Sequence, residues 1–321
     1  MSKILTLEDA TRSKHGNELY DFREVITDPL RWEEVSLTLT DSTFKIGDDL
    51  KVKIEEAWKK TLEKNPNAFD APKLRFEGIE WKDGILMVYL SSGITYSQHN
   101  VIRNEKGLPL MSYPIPMTIN DLQETLDGFL LFGARNPEVS DQSGGAVIGA
   151  GFHDPLKGKK EFFPGGIFET ALKEAKEETE YQRGGRIEIK EEELKNGKKV
   201  KREVIVDSNH VIYPIRQDLM RAITLVRGSN TDITMGFYVP LTVRSEEVVL
   251  NSKNFEYDDI FRIRNDTRNL ERALNTGNLE GVATNAGYIS YSVPLADHPI
   301  GVIEAFLRLR DKLPRVSYHQ H

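Results

Sequence analysis

The sequence predicts an α/β protein with a mixed sheet lying between helices, and three observations predict it. Strand-like and helix-like periods alternate along most of the chain without settling into the regular strand–helix–strand beat of a doubly wound sheet. A stretch from Asn104 to Pro116, carrying Pro109, Pro114 and Pro116, breaks both helix and central strand and divides a short first part from a long second one. At 321 residues the chain also exceeds one small module, since about 100–200 residues per domain is usual.

In chain order, residues 1–48 mix charges, Pro29 and scattered aromatics without a sustained period and read as an irregular segment. From Asp48 or Asp49 to Lys64 the pattern turns helical, because Leu50, Ile54, Ala57, Trp58 and Leu62 recur at steps of three and four and form one apolar stripe. Leu74–Trp81 and Ile85–Leu90 read as strands joined across Lys82-Asp83-Gly84, whose Asp-Gly pair favours a tight hairpin. Residues 49–116 therefore form a smaller N-terminal α+β domain with a β-hairpin. In the larger domain, residues 117–315, strands are expected at Gly128–Ala134, Ala146–Phe152 and Glu161–Phe163, and a helix over 169–181. Strands at Arg186–Lys190, Val204–Val206, Ala222–Arg227 and Gly236–Leu241 follow, with a turn at Lys195–Lys198. Helices at 267–275 and 300–312 close the chain before a flexible tail, 316–321.

Composition narrows the function. Hydrophobic residues at 39% against charged residues at 29% fit a globular chain, and no apolar run approaches the roughly 20 residues that a bilayer span needs. The N-terminus turns acidic at Glu8-Asp9 before an apolar signal core forms, so the expected location is cytoplasmic, with no membrane partner. Cysteine is absent, which removes disulfides, thiolate nucleophiles and sulfur-ligated metals. A net charge of −7 disfavours a nucleic-acid backbone as partner. The seven histidines are dispersed without a helical pair for zinc. Gly145 to Gly151 is not followed by a helix, as a dinucleotide loop would be. Oligomeric state has no signature in the sequence.

The informative segment is Phe163-Pro164-Gly165-Gly166, followed by an acidic helix through Glu169, Glu174, Glu177, Glu178 and Glu180. At spacings of three and four, Glu174, Glu177 and Glu178 project from one patch, where like charges cost a few tenths of a kcal/mol per pair, on the order of 0.2–0.5. A bound Mg²⁺ or Mn²⁺ removes that cost, because hard cations favour clustered carboxylate oxygens, and Gly166 offers a close backbone carbonyl. The alternative reading of the string is a solvated acidic helix face.

The strand, the Pro-Gly-Gly turn and the helix together resemble the Nudix box, G-x5-E-x7-R-E-U-x-E-E-x-G-U with U aliphatic, whose second half is matched by Lys173-Glu174-Ala175-Lys176-Glu177-Glu178-Thr179-Glu180-Tyr181. Lys173 stands for the Arg and Glu180 for the last Gly, and Gly166 precedes Glu174 by only eight residues, so the helix start is shortened by about two turns. That shortening removes the box's first Glu unless Glu169 replaces it. Trp58, Leu62 and Pro66, the run Phe69 to Phe76, Gly93 to Tyr96, Leu126 to Phe132, Phe237-Tyr238-Val239, Ser245 to Val248 and Glu256 to Phe261 are similar to the UDP-sugar pyrophosphatase branch of that family.

The resemblance implies a Nudix α/β/α sandwich behind the smaller N-terminal domain, and Mg²⁺-dependent cleavage of UDP-glucose or UDP-galactose. It implies metal ligands at Glu174, Glu177, Glu178 and Gly166, and a catalytic set of Glu177, Glu178 and Glu256, with Glu178 or Glu256 as general base. Lys173 orients a glutamate. Lys73 and Arg75, alternating with Leu74 and Phe76 on one strand, share a face that either holds phosphate or is an ordinary polar strand face, and Tyr96, at a strand end, either stacks on uracil or is simply packed. The alternatives are a hydrolase for another nucleoside diphosphate, such as ADP-ribose, and a nucleotide-binding module that has lost hydrolysis.

Overall fold

The computed structural model describes residues 4–12, 20–64, 66, 68, 70–103, 105, 108, 113–136, 145–147, 150–152, 166–181, 186–193, 199–207, 210–212, 214–227, 232–251, 257–283 and 290–316. The short strands β1 (Thr11–Arg12) and β2 (Tyr20–Asp21) precede β3 (Val35–Thr40), α1 (Asp48–Lys64), β4 (Pro72–Lys82), β5 (Ile85–Thr95) and α2 (Tyr96–Ile102). Then come β6 (Met117–Glu124), β7 (Phe129–Arg135), β8 (Gly145–Val147), β9 (Ala150–Phe152), α3 (Gly166–Glu178) and β10 (Thr179–Tyr181). Next are β11 (Arg186–Glu193), β12 (Lys199–Asp207), β13 (His210–Ile212), β14 (Arg221–Arg227), β15 (Ile233–Pro240), β16 (Val248–Leu250) and β17 (Tyr257–Arg264). The chain closes with α4 (Thr267–Thr276), β18 (Asn278–Ala283), β19 (Ser290–Pro294) and α5 (Asp297–Leu309).

The protein is of mixed α/β class. Its large sheet runs β1-β2-β14-β15-β6-β7-β17-β18-β19, parallel among the described residues only where β15 meets β6. β6 and β7 pair at Glu124 and Leu130 beside their turn, while β9 pairs with β6 and β8 with β7 farther along. A smaller sheet, β3-β5-β4, holds the expected hairpin. Lys82 faces Ile85 across it, and Asp83 and Gly84 both take positive φ, 51° and 79°, as a two-residue turn of matching twist requires.

Period-two alternation sends successive residues of the large sheet to opposite faces. Met117, Ile119, Leu131, Met235 and Phe237 join a cluster with Ile167, Phe168, Ala171 and Ala175 of α3 and with Leu37, Phe76 and Val88 of the small sheet. Leu122, Phe132, Tyr238 and Phe261 join a second cluster with α4 and α5. Helices thus cover both faces, and the small sheet shares the α3 side.

Three expectations change. Residues 1–48 are not irregular throughout: β2 pairs with β14, Leu30 bridges Ala222, and the alternating Val35-Ser36-Leu37-Thr38-Leu39-Thr40 forms β3 beside β5. β2 is too short for periodicity to register, whereas the six-residue alternation of β3 is a period-two signal that the sequence reading passes over. The helix expected over 169–181 starts at Gly166 and ends at Glu178, because Thr179–Tyr181 pairs with Val248–Leu250 as a strand. The proline-rich boundary also does not separate the cores: the Phe76 N–H donates to Ile115 O at 2.8 Å, and Arg75 bridges Pro116 just before β6 begins. The expected strand at Glu161–Phe163 lies outside the described residues. No helix among the described residues is long and apolar enough to cross a membrane.

Candidate functional site

α3 is held by its apolar side. Ile167, Phe168, Ala171 and Ala175 are buried, and the Phe168 ring meets Phe237 of β15 edge-on, with centroids 4.8 Å apart. At 3.6 residues per turn, Glu178 falls on that same face and Glu174 at its border. Glu178 is buried and accepts a long hydrogen bond, 3.4 Å, from the Ala150 N–H of β9. The Glu174 side chain is 13% exposed and lies against Gly151, where an added Cβ would stand 2.4 Å from its Cδ. Gly151 is therefore the residue that admits the Glu174 carboxylate to the backbone of β9.

Glu177 turns the other way. Its side chain is 57% exposed and pairs with Lys173 at 3.5 Å, while the same ammonium reaches Glu174 at 3.3 Å. Partial burial of Lys173 pulls its pKa down, but the two glutamates outweigh this and leave it raised, so the charge persists throughout the neutral range. The three glutamates read as one patch are thus divided, two inward and one outward, with Lys173 spanning the rim.

A fourth acid joins the inward pair. Asp121 sits on β6, in register with Phe237, on the row of Met117 and Ile119 that faces α3. It is wholly buried, and neither carboxylate oxygen has a hydrogen-bond partner among the described residues. Burial first, then the charges of Glu178 and Glu174, push its pKa well above the ordinary carboxylate value. Sequence reasoning missed Asp121, although the row Met117, Ile119, Asp121 places an acid at the third of three inward positions.

The donor set is all oxygen, the kind that hard divalent cations take. Among the described residues, however, no three Asp, Glu or His side chains are gathered closely enough to hold a metal ion as they stand. Gly166 is buried as the first residue of α3; Glu256 lies outside the described residues.

The expected phosphate and base contacts sit on the small sheet. Lys73 and Arg75 are buried on β4, separated by a register shift, and Arg75 Nη1 pairs with Glu77 Oε1 at 2.5 Å beneath the Phe44 ring. Ser91 Oγ donates to the same Glu77 oxygen. Tyr96 opens α2 rather than ending a strand, and the residue is 39% exposed. No family model matches the chain, and no curated protein matches it.

Proposed function

We propose that the protein is a cytoplasmic Mg²⁺- or Mn²⁺-dependent diphosphatase of the Nudix type that cleaves a nucleotide sugar, UDP-glucose or UDP-galactose, to UMP and a sugar 1-phosphate. One observation carries this reading: Glu174 and Glu178 turn to the buried side of α3 and meet β9 where Gly151 leaves its backbone bare. The match of the segment Pro164 to Tyr181 to the Nudix box supports it.

In the reaction a water oxygen bonds to phosphorus, the bridging P–O bond breaks, and the departing phosphate takes the electron pair. A divalent cation held by Glu174 and Glu178 would neutralise the diphosphate and make water easier to deprotonate. Glu178 accepts the proton from that water, with Glu256 as the alternative base. Lys173 orients Glu174 through their ion pair. Gly166, whose carbonyl accepts a hydrogen bond from Thr170 Oγ1 at 3.3 Å, is the proposed backbone ligand, the buried Lys73 and Arg75 are the proposed phosphate contacts, and Tyr96 is the proposed stacking partner of uracil. Incubation with Mg²⁺ and UDP-glucose, UDP-galactose, ADP-ribose or nucleoside triphosphates tests the assignment. UMP release should stop on chelation and fall roughly a hundredfold in Glu174→Gln; turnover of ADP-ribose alone would overturn the sugar assignment.

A second reading, a nucleotide-binding module without hydrolysis, is favoured by the absence of three gathered acidic side chains among the described residues. In that case UDP-glucose raises the melting temperature while no product forms with any divalent cation.

A further inference from the structure

We propose that His99 is a protonated clamp that positions α2, and Tyr96 with it, against the large sheet, and that losing its proton loosens this hold. The effect on substrate rests on reading Tyr96 as the uracil contact, whereas the clamp itself does not. His99 lies one helical turn after Tyr96 and is buried, with 1% of its side chain exposed. Its Nδ1 is 3.2 Å from the Pro114 carbonyl oxygen, and its Nε2 is 3.1 Å from Asp232 Oδ1. Pro114 lies just before β6 and Asp232 just before β15. Ile233 of β15 pairs with Met117 at the start of β6 and donates its N–H to Pro116 O at 3.1 Å. The ring therefore joins a helix beside the small sheet to the entry of two neighbouring strands of the large one.

The proton count follows from the partners. A carbonyl oxygen only accepts, so Nδ1 carries a proton. A carboxylate oxygen also only accepts, and a neutral ring would turn the Nε2 lone pair towards it. The imidazolium suits both sides. With Asp232 it makes a charge contact rather than an aligned hydrogen bond. Carboxylates elsewhere around α2 have other partners: Asp70 accepts from the Ser97 N–H and Oγ, both at 2.7 Å, and Glu105 pairs with Lys53 of α1 at 2.8 Å. The buried and half-buried residues of α1, Leu50, Ile54, Ala57 and Trp58, carry no charge. On β5 the titratable group is Tyr89, which donates to Glu80 at 2.8 Å, and α2 itself adds Tyr96 and, at its C-cap, Arg103. The contact with Asp232 is thus complete on the acid side of the ordinary imidazole value, about 6.5, and is lost as pH rises through the titration of the ring.

The test is a titration of the full chain, labelled with ¹⁵N in histidine and tyrosine, followed by nuclear magnetic resonance from about pH 6 to about pH 9. At the acid end the His99 ring should carry protons on both nitrogens, and the Tyr96 amide should shift as Nε2 loses its proton. A ring that holds the Nδ1 proton alone throughout would overturn the clamp, as would a Tyr96 amide that stays still. A ring doubly protonated over the whole range would overturn the pH dependence. In Asp232→Asn the amide can donate to a neutral Nε2, so there the Tyr96 amide should not move. Relative to that variant, the wild-type KM for UDP-glucose should rise roughly tenfold over the same range while the kcat ratio stays flat. A flat KM ratio with hydrolysis intact refutes the positioning role. The wild-type titration decides on the clamp even where Asp232→Asn fails to fold. If no nucleotide is hydrolysed while the ring and Tyr96 titrate together, the substrate reading fails and the clamp stands.

Discussion

A methyl group at position 151 would stand 2.5 and 2.8 Å from the two carboxylate oxygens of Glu174 as well as crowding its Cδ. Those atoms end a flexible side chain, so Gly151→Ala should leave the fold intact by circular dichroism while turning the carboxylate away from β9. Mn²⁺ affinity is then expected to fall about tenfold. An unchanged affinity would mean that Glu174 acts from elsewhere. The outward Glu177 and inward Glu178 make the same point about adjacency: neighbours on a helix differ by about 100° in direction. The acidic string was legible in the sequence, but the division of its acids between core and solvent depends on which side Phe168 docks against Phe237.

Among the elements, the turn between β6 and β7 fixes the sheet beside the site. Asp127 accepts hydrogen bonds from Thr125 Oγ1 at 2.7 Å, the Ser245 N–H at 2.7 Å and Ser245 Oγ at 2.8 Å. Burial raises its pKa, but these hydrogen bonds outweigh that effect and leave it lowered. A carboxylate depressed in the fold stabilises it above the unfolded pKa of about 3.9, and that stability is lost as pH falls through the folded value. Asp127→Asn should therefore cost about 1 kcal/mol at neutral pH, held low by partial exposure, and flatten the acid limb of the stability profile in urea titrations. The centre of the sheet is less forgiving. An added Cβ at Gly236 of β15 would lie 2.7 Å from Thr224 Cγ2 and 2.9 Å from Val302 Cγ2 of α5, so Gly236→Val should destabilise by about 1–3 kcal/mol. A wild-type urea midpoint in that variant would show that α5 can shift at no cost.

At the scale of the whole molecule, the small sheet, α3 and one face of the large sheet share a single apolar cluster, so the proline-rich segment does not mark two independent folding units. Trp32, Trp58 and Trp81 all lie before that segment, whereas most of the large sheet lies after it. Tryptophan fluorescence and far-ultraviolet circular dichroism should therefore report one coincident unfolding transition, and separated midpoints would show that the two parts unfold independently. Bound metal should also stabilise the fold by mass action, by about 2.7 kcal/mol at a hundredfold excess over Kd, a gain that chelation reverses in calorimetry.

Local chemistry was enough for the hairpin at Asp83-Gly84, for α1 from its apolar stripe, for the mixed α/β class and for the acidic helix, because each depends on periods and turn residues a few positions apart. Chain folding alone decided the rest. The strand at Thr179–Tyr181 exists because Val248–Leu250 lies beside it, and β2 exists because β14 offers an edge. Asp121 comes under the charges of Glu174 and Glu178, 53 and 57 positions later in the chain, only because α3 packs against β6. Whether a carboxylate is an ordinary surface charge or an unpartnered buried one depends on desolvation and on neighbours brought from a distance, and no local pattern encodes either.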